Sequence, residues 1–355
     1  MGVMEIPGGL VELRDEERLR RQTSANRLVR PVRRLKVVCI GGGTGLPVVL
    51  RGLSRRVLTR AGEERLALTA VVAMSDDGGS SGRLRRHLGA LPPGDVRNCL
   101  VALAGHDSKL RGLLQHRLSG SRALSGHAVG NLMLAGLAEL TGDFVEGVRV
   151  LGELLGARGT VLPSTLERVR LTAVKDGGVQ IQGERNLCRT PGAVRRVSLI
   201  PTAPMPSPGL IEAIRDADLV TIGPGSLFSS ALPNLLVEGV AKALQETSAL
   251  RVLVANLMTQ PGETDDMDCA AHVRAITSHV GPVLDAVLVN AAPIPHSLLL
   301  DYAVKGSVPV TVDRRAVLEA GVAPIEADLL RRGSRVRHDS GKVARCLLRL
   351  AQHGL

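Results

Sequence analysis

The stretch LKVVCIGGGTGL at residues 35–46 constrains the fold more tightly than any other. Apart from Lys36 its first six residues are apolar, without the polar alternation of a half-exposed strand, as expected for a strand buried on both faces of a parallel sheet. The glycines that follow permit a sharp turn, and LPVVLRGLSRRV then places apolar residues at helical spacing. LALTAVVAM at 66–74 reads as the next strand. Strand, glycine turn, helix, strand is the opening of a doubly wound sheet. The expected class is therefore α/β, a Rossmann-like three-layer αβα arrangement with a mostly parallel sheet.

Two interruptions are expected in this pattern. Residues 95–155 are helix-dominated, and RVRLTAVKD, VQIQGE and VRRVSLIP then shift toward short strands, a small β insertion. The parallel pattern resumes with DLVTIGPGSL, a helix over 233–246, the strand RVLVANL, a helix over 268–279 and the strand DAVLVNA. Residues 1–34 are polar and rich in Arg, Glu and Asp, with one short helix expected in VELRDEERLRRQ. They are expected to form a basic N-terminal extension to a single domain spanning 35–352.

Composition narrows the function. No apolar run approaches the ~18 residues that span a bilayer, and the N-terminus carries charges where a signal peptide is apolar, so membrane insertion is not expected and a cytoplasmic location is. The five cysteines are odd in number, widely spaced and never CxxC, which suggests neither a disulfide framework nor a zinc site. A net charge of +11 invites a nucleic-acid reading, but a chain with no Trp, one Tyr and two Phe lacks the stacking surface of single-strand and RNA binders.

Several junctions carry candidate chemistry. In IGGGTGLPVVL, backbone N–H groups of Gly41, Gly42, Gly43, Thr44 and Gly45 would face a phosphate at a helix N-terminus. Gly41 and Gly43 fit the first two glycines of the dinucleotide fingerprint, but Leu46 takes the place of the third, which disfavours a nicotinamide dehydrogenase. Asp76 and Asp77 close the second strand, where an acid accepts ribose hydroxyls; Asp76 lies 31 residues beyond Gly45, the extra length falling in the intervening helix and loop. The same pair could instead hold Mg²⁺ bridging to phosphate. Ser80 and Ser81 are N-cap candidates for the helix carrying Arg83. PPGDVRNCL places Asp95, Arg97 and Asn98 in the first turn of a helix, Asp95 as its expected N-cap, and His127 and Asn131 share a helix face. TIGPGSLFSSALPNLL repeats the strand, glycine turn, helix junction with Gly223, Gly225, Ser226 and Asn234. ANLMTQPGETDDMD brings Asn256, Thr259, Gln260, Glu263 and Thr264 to the same sheet edge. Two such junctions would flank a cleft at the carboxyl ends of the strands.

The ordered set IGGGTGL, SDDGGSSGRLR, PPGDVRNCLVAL, GHAVGNLMLAGL, VLPST, IGPGSLFSSALPNLLV, NLMTQPGET and RVRHDSGKVA resembles the gluconeogenesis-factor family, which is related to the 2-phospho-L-lactate transferase of deazaflavin coenzyme biosynthesis. The resemblance runs from Leu35 to Leu350. It implies a Rossmann-like core, a cytoplasmic bacterial protein, a role in cell shape and wall-precursor balance on gluconeogenic carbon sources, and binding of UDP-N-acetylglucosamine with no assigned reaction. It further implies that Tyr302, in LLLDYAVKGSVPV, and Arg337, in RVRHD, contact the nucleotide sugar. Phe228 stands where the family frequently has Tyr, and Ala271, before His272, where it commonly has an acid.

Two readings remain open at this level. In the first, the chain is a UDP-sugar-binding regulator in which the glycine turns cradle phosphates, Asp76 and Asp77 hold hydroxyls, and Arg337 neutralises charge. In the second, it is a transferase with Asp76 and Asp77 on Mg²⁺. Self-association and the identity of a regulated partner are left open.

Overall fold

The computed structural model describes residues 34–58, 62, 64–104, 110–120 and 124–355. The short helix expected in VELRDEERLRRQ, with nearly all of the N-terminal extension, lies outside these residues. In chain order the strands are β1 (Leu35–Gly41), β2 (Leu66–Val72), β3 (Thr160–Pro163), β4 (Arg170–Lys175), β5 (Gln180–Gln182), β6 (Val194–Ile200), β7 (Leu219–Ile222), β8 (Leu250–Val254), β9 (Ala286–Asn290) and β10 (Ala323–Ala327). Seven of them form one sheet in the order β10-β9-β8-β7-β1-β2-β3, and every pairing is parallel. The other three form the expected small insertion, an antiparallel sheet in the order β5-β4-β6.

Side chains alternate between the faces of a strand, yet all four residues of β7 and the last five of β1 are buried. Both faces of the sheet are therefore covered, which is why these strands read as continuous apolar runs. Helix α1 (Leu46–Ser54) packs against the helix Ser340–His353 at the C-terminal end of the chain. At Gly52 an added Cβ would lie 1.9 Å from the Ser340 carbonyl oxygen.

The strand order places the site. From β1 the chain builds outward through β2 and β3, then returns so that β7 pairs the other side of β1. At such a switch point the connections leave in opposite directions and open a crevice beyond the carboxyl ends of the strands. The turns after β1 and β7 meet there, with the Gly41 Cβ position 3.8 Å from Gly223 Cα.

Four local expectations are corrected. His127 and Asn131 do not share a helix face, because the helix is Val129–Thr141 and His127 precedes its cap residue Ala128. The helix expected over 233–246 is broken: a π-helical turn at Leu227–Ala231 leads into Leu232–Leu235, and a separate helix at Val240–Glu246 starts after Gly239, at φ 75°. The π turn begins where the Glu263 carboxylate accepts the Phe228 and Ser229 amides, at 2.8 and 2.9 Å. Ser80 and Ser81 are not caps, because helix α2 (Gly79–Leu88) starts after Gly78 and the serines lie buried within its first turn. Nor does Asp95 cap helix α3 (Gly94–Leu103); its Oδ2 accepts the Gly43 N–H at 2.5 Å, tying that helix to the turn after β1.

A small apolar cluster stands apart from the main core. Leu257, Met258 and Val336 are buried there, with Ile294, Leu298, Leu299, Tyr302 and Leu330 packed against them. Among the described residues no helix is long and apolar enough to cross a membrane.

Candidate functional site

At the switch point a cavity of about 340 Å³ is walled by Gly43, Thr44 and Gly45 on one side and by Gly225, Ser226 and the segment Asn256–Gln260 on the other. Tyr302, Ser307, Arg337 and His338 complete it. Helix α1 begins at this wall with no side-chain cap, and its nine residues direct the positive end of their dipole at the cavity. The turn can be this tight because Gly45 carries no side chain: a Cβ there would sit 2.0 Å from the Pro224 carbonyl oxygen.

The opposite wall is held by its own side chains. Asn256 Oδ1 accepts the Gly225 N–H at 3.0 Å while its Nδ2 donates to the Gly225 carbonyl at 2.8 Å, clamping the turn after β7. Gln260 donates to Ser226 Oγ at 2.9 Å, leaving its own Oε1 buried without a partner. Fully buried Asn234 donates to the carbonyls of Gly41 and Ser230, joining the two glycine junctions. Thr264 Oγ1 accepts the Gln260 N–H, and Thr259 Oγ1 accepts the Val308 N–H.

Tyr302 reaches the cavity from the helix His296–Ala303 by packing on the small apolar cluster, and its hydroxyl donates to the Val336 carbonyl at 3.4 Å. Arg337 is exposed beside it. His338 is buried with Nε2 unpartnered, and burial pushes its pKa down to about 4, so it lines the cavity as a neutral imidazole.

Behind the Gly41–Gly45 turn lies a group of acids. The Gly42 Cβ position is 2.8 Å from Asp95 Oδ2, and that of Gly94 is 3.4 Å from Asp76 Oδ2. Asp76 Oδ1 accepts the Gly78 N–H at 2.8 Å. Glu184 joins them from the segment after β5: its carboxyl is pushed up to about 8 by burial and then by the charges of Asp76, Asp95, Glu263 and Asp77. Burial likewise raises Asp95 to about 6 and holds Asp76 and Glu263 above the usual carboxylate range. Beside the acids runs a hydrogen-bonded chain in which Arg97 donates to Asn131 and Asn98, each at 2.7 Å, Asn131 donates to Ser80 Oγ at 3.0 Å, and Ser80 meets His127 Nδ1 at 2.9 Å. Arg83 points outward and donates to the Ser125 carbonyl.

The sequence candidates thus divide between two faces of one turn. Gly43, Thr44, Gly45, Gly225, Ser226, Asn256, Gln260, Tyr302 and Arg337 line the cavity, whereas Asp76, Asp77 and Asp95 belong to the acidic side and the polar chain from Arg97 to His127 runs beside them. Glu263 and Thr264 serve internal hydrogen bonds. Sequence reasoning missed His338, Ser307 and Glu184. His338 adjoins Arg337 in RVRHD and could have been found there; Glu184 carries no local signal, because its acidic neighbours come from three other segments.

A Rossmann-like parallel sheet with a glycine turn, a helix N-terminus and a polar cleft at its switch point places the chain among the open-sheet α/β proteins, the architecture in which phosphate-bearing ligands are commonly held. The family described as 2-phospho-L-lactate transferase CofD matches residues 37–330. A gluconeogenesis factor from Halalkalibacterium halodurans is 40% identical over 319 residues, covering 89% of this chain and 97% of its own, and one from Bacillus subtilis is 39% identical over 317 residues, covering 89% and 98%. A crystal structure of a Bacillus halodurans protein superposes with a TM-score of 0.85 at 40% identity, over 89% of this chain and 100% of that one. The chain belongs to the CofD family, within its gluconeogenesis-factor group.

Proposed function

We propose that the cavity binds a nucleotide sugar of the UDP-N-acetylglucosamine kind, and that the chain is a cytoplasmic regulator of cell shape and wall-precursor balance during growth on gluconeogenic carbon sources. The observation that carries the ligand reading is the meeting of the uncapped α1 N-terminus with Tyr302, Arg337 and a wall of amide and hydroxyl groups in one cleft. The helix end and the guanidinium suit a diphosphate. Asn256, Thr259, Gln260 and Ser307 offer the mixed donors and acceptors that hydroxyls and an amide require. No reaction is assigned.

Calorimetry with UDP-N-acetylglucosamine tests this. Binding is expected, weakened in Arg337→Ala by roughly tenfold or more, since a hydrogen bond to a charged group contributes about 1.5–3 kcal/mol. No heat at millimolar ligand would overturn the reading.

The crowded carboxyls favour a second reading, a Mg²⁺-dependent transferase. Among the described residues, however, no group of three or more His, Cys, Asp or Glu is arranged to hold a metal ion. Binding that vanishes in EDTA and returns with Mg²⁺ would favour this alternative.

A further inference from the structure

A second cavity, of about 800 Å³, shares no lining residue with the nucleotide cleft. Arg85 and Arg86 enter it from α2, Arg168 from just before β4 and Arg170 from its first position, and Arg185 from the short helix Glu184–Leu187; the one carboxylate in its wall is Asp77. Ile200, 50% exposed, and Pro201 supply an apolar edge.

Some arginines elsewhere are paired, among them Arg149 with Glu146 and Glu153, Arg251 with Asp285 and Arg314 with Glu326. Among the described residues, none of the five guanidiniums in this cavity makes an ion pair. Arg85 is anchored through Nη2 to the Val169 carbonyl, its Nη1 is buried without an acceptor, and Arg168 and Arg170 lie near enough to repel its charge. Asp77 and Asp76 offset part of the charge at Arg85; the remaining like charges, converging on a concavity from three separate elements, are stabilised by an anion there. Arginine's planar fork suits phosphate and carboxylate oxygens in pairs.

We propose that this cavity is a second ligand site, for a small polyanion carrying two or more phosphate or carboxylate groups. Its volume falls within the usual range for small-molecule sites, roughly 300–1,000 Å³. It offers no aromatic platform of the kind that single-stranded nucleic acids stack upon. The site is independent of the nucleotide-sugar reading and would stand if that reading failed.

Inorganic pyrophosphate and citrate are the probes, titrated calorimetrically into Arg337→Ala, which weakens the phosphate end of the other cleft. Binding is expected, falling with added salt, and at least tenfold weaker when Arg168→Ala and Arg170→Ala are added; both side chains are exposed, so the fold should tolerate their loss. A preference for pyrophosphate assigns the site to phosphates and a preference for citrate to carboxylates. In the otherwise unaltered chain, bound probe should protect Arg168, Arg170 and Arg185 from phenylglyoxal, as read by peptide mass spectrometry. The proposal is overturned if neither probe binds below millimolar concentration, or if the loss of Arg168 and Arg170 leaves affinity and protection unchanged.

Discussion

Gly45→Ala is expected to cost the protein about 3 kcal/mol of stability, at the upper end of ordinary overpacking, and with it most of its nucleotide-sugar affinity. The added Cβ would lie 2.0 Å from the Pro224 carbonyl oxygen and 2.9 Å from Gly225 Cα, both backbone, so no side-chain rotation relieves the contact. One glycine junction must back away from the other. The displaced turn is either the one that directs the α1 N-terminus at the cavity or the one that Asn256 clamps. For a chain of this length about 3 kcal/mol corresponds to a fall in Tm of roughly 4 °C, and a loss of 2 kcal/mol in binding to about thirtyfold in Kd. Gly136→Ala is the matched control. That residue lies inside the helix Val129–Thr141 with nothing within 4 Å of the added Cβ, so alanine there should be neutral or stabilising by up to about 1 kcal/mol. Thermal melts and calorimetry on the pair read the difference, and equal behaviour would refute the role given to Gly45.

Glu184→Gln is expected to stabilise the protein under alkaline conditions and change little under acidic ones. The folded-state pKa of Glu184 is pushed up from 4.5 to about 8. Between those values the native protein holds a proton that the unfolded chain has released, so stability is fully present below the lower value and is lost as pH rises through the upper one. Asp95, raised from 3.8 to about 6, acts in the same direction over a lower window. His338 opposes them: depressed from 6.5 to about 4, it stays neutral in the fold, so stability is lost as pH falls through that interval. At about 1.4 kcal/mol per pKa unit, and discounted for the partial exposure of Glu184, the amide should gain about 3 kcal/mol, or roughly 4 °C in Tm, near pH 8.5 relative to pH 5. Melting both proteins at these two pH values checks it; a difference that does not vary with pH would mean that Glu184 is not the group holding the proton.

The features legible in the sequence are those written locally. The β1 run, its glycine turn and the return of the same pattern at β7 announce a parallel sheet with a cleft at its switch point, because burial on both faces and sharp turns leave marks within a dozen residues. Asp95 looks like a helix cap because Asp before a helical run usually is one; its actual partner, Gly43, lies 52 positions away. The π turn at Leu227–Ala231, ahead of the helix expected over 233–246, begins at amides received by Glu263, 35 and 34 positions away from Phe228 and Ser229. Glu184 is the extreme case, since its proton affinity is raised first by burial and then by acids that meet only after the sheet, the insertion and the loop after β8 have assembled.

The helix that carries Tyr302 has no fully buried residue and rests on the small apolar cluster of Leu257, Met258 and Val336, not on the main core. One wall of the cleft is thus secured by much less buried apolar surface than the strands opposite. In hydrogen exchange, amides of His296–Ala303 should open by local fluctuation and exchange far ahead of those in β1 and β7, which wait for global unfolding. The cleft is built from two tiers of stability, rigid where the glycine turns leave the sheet and yielding where the tyrosine enters.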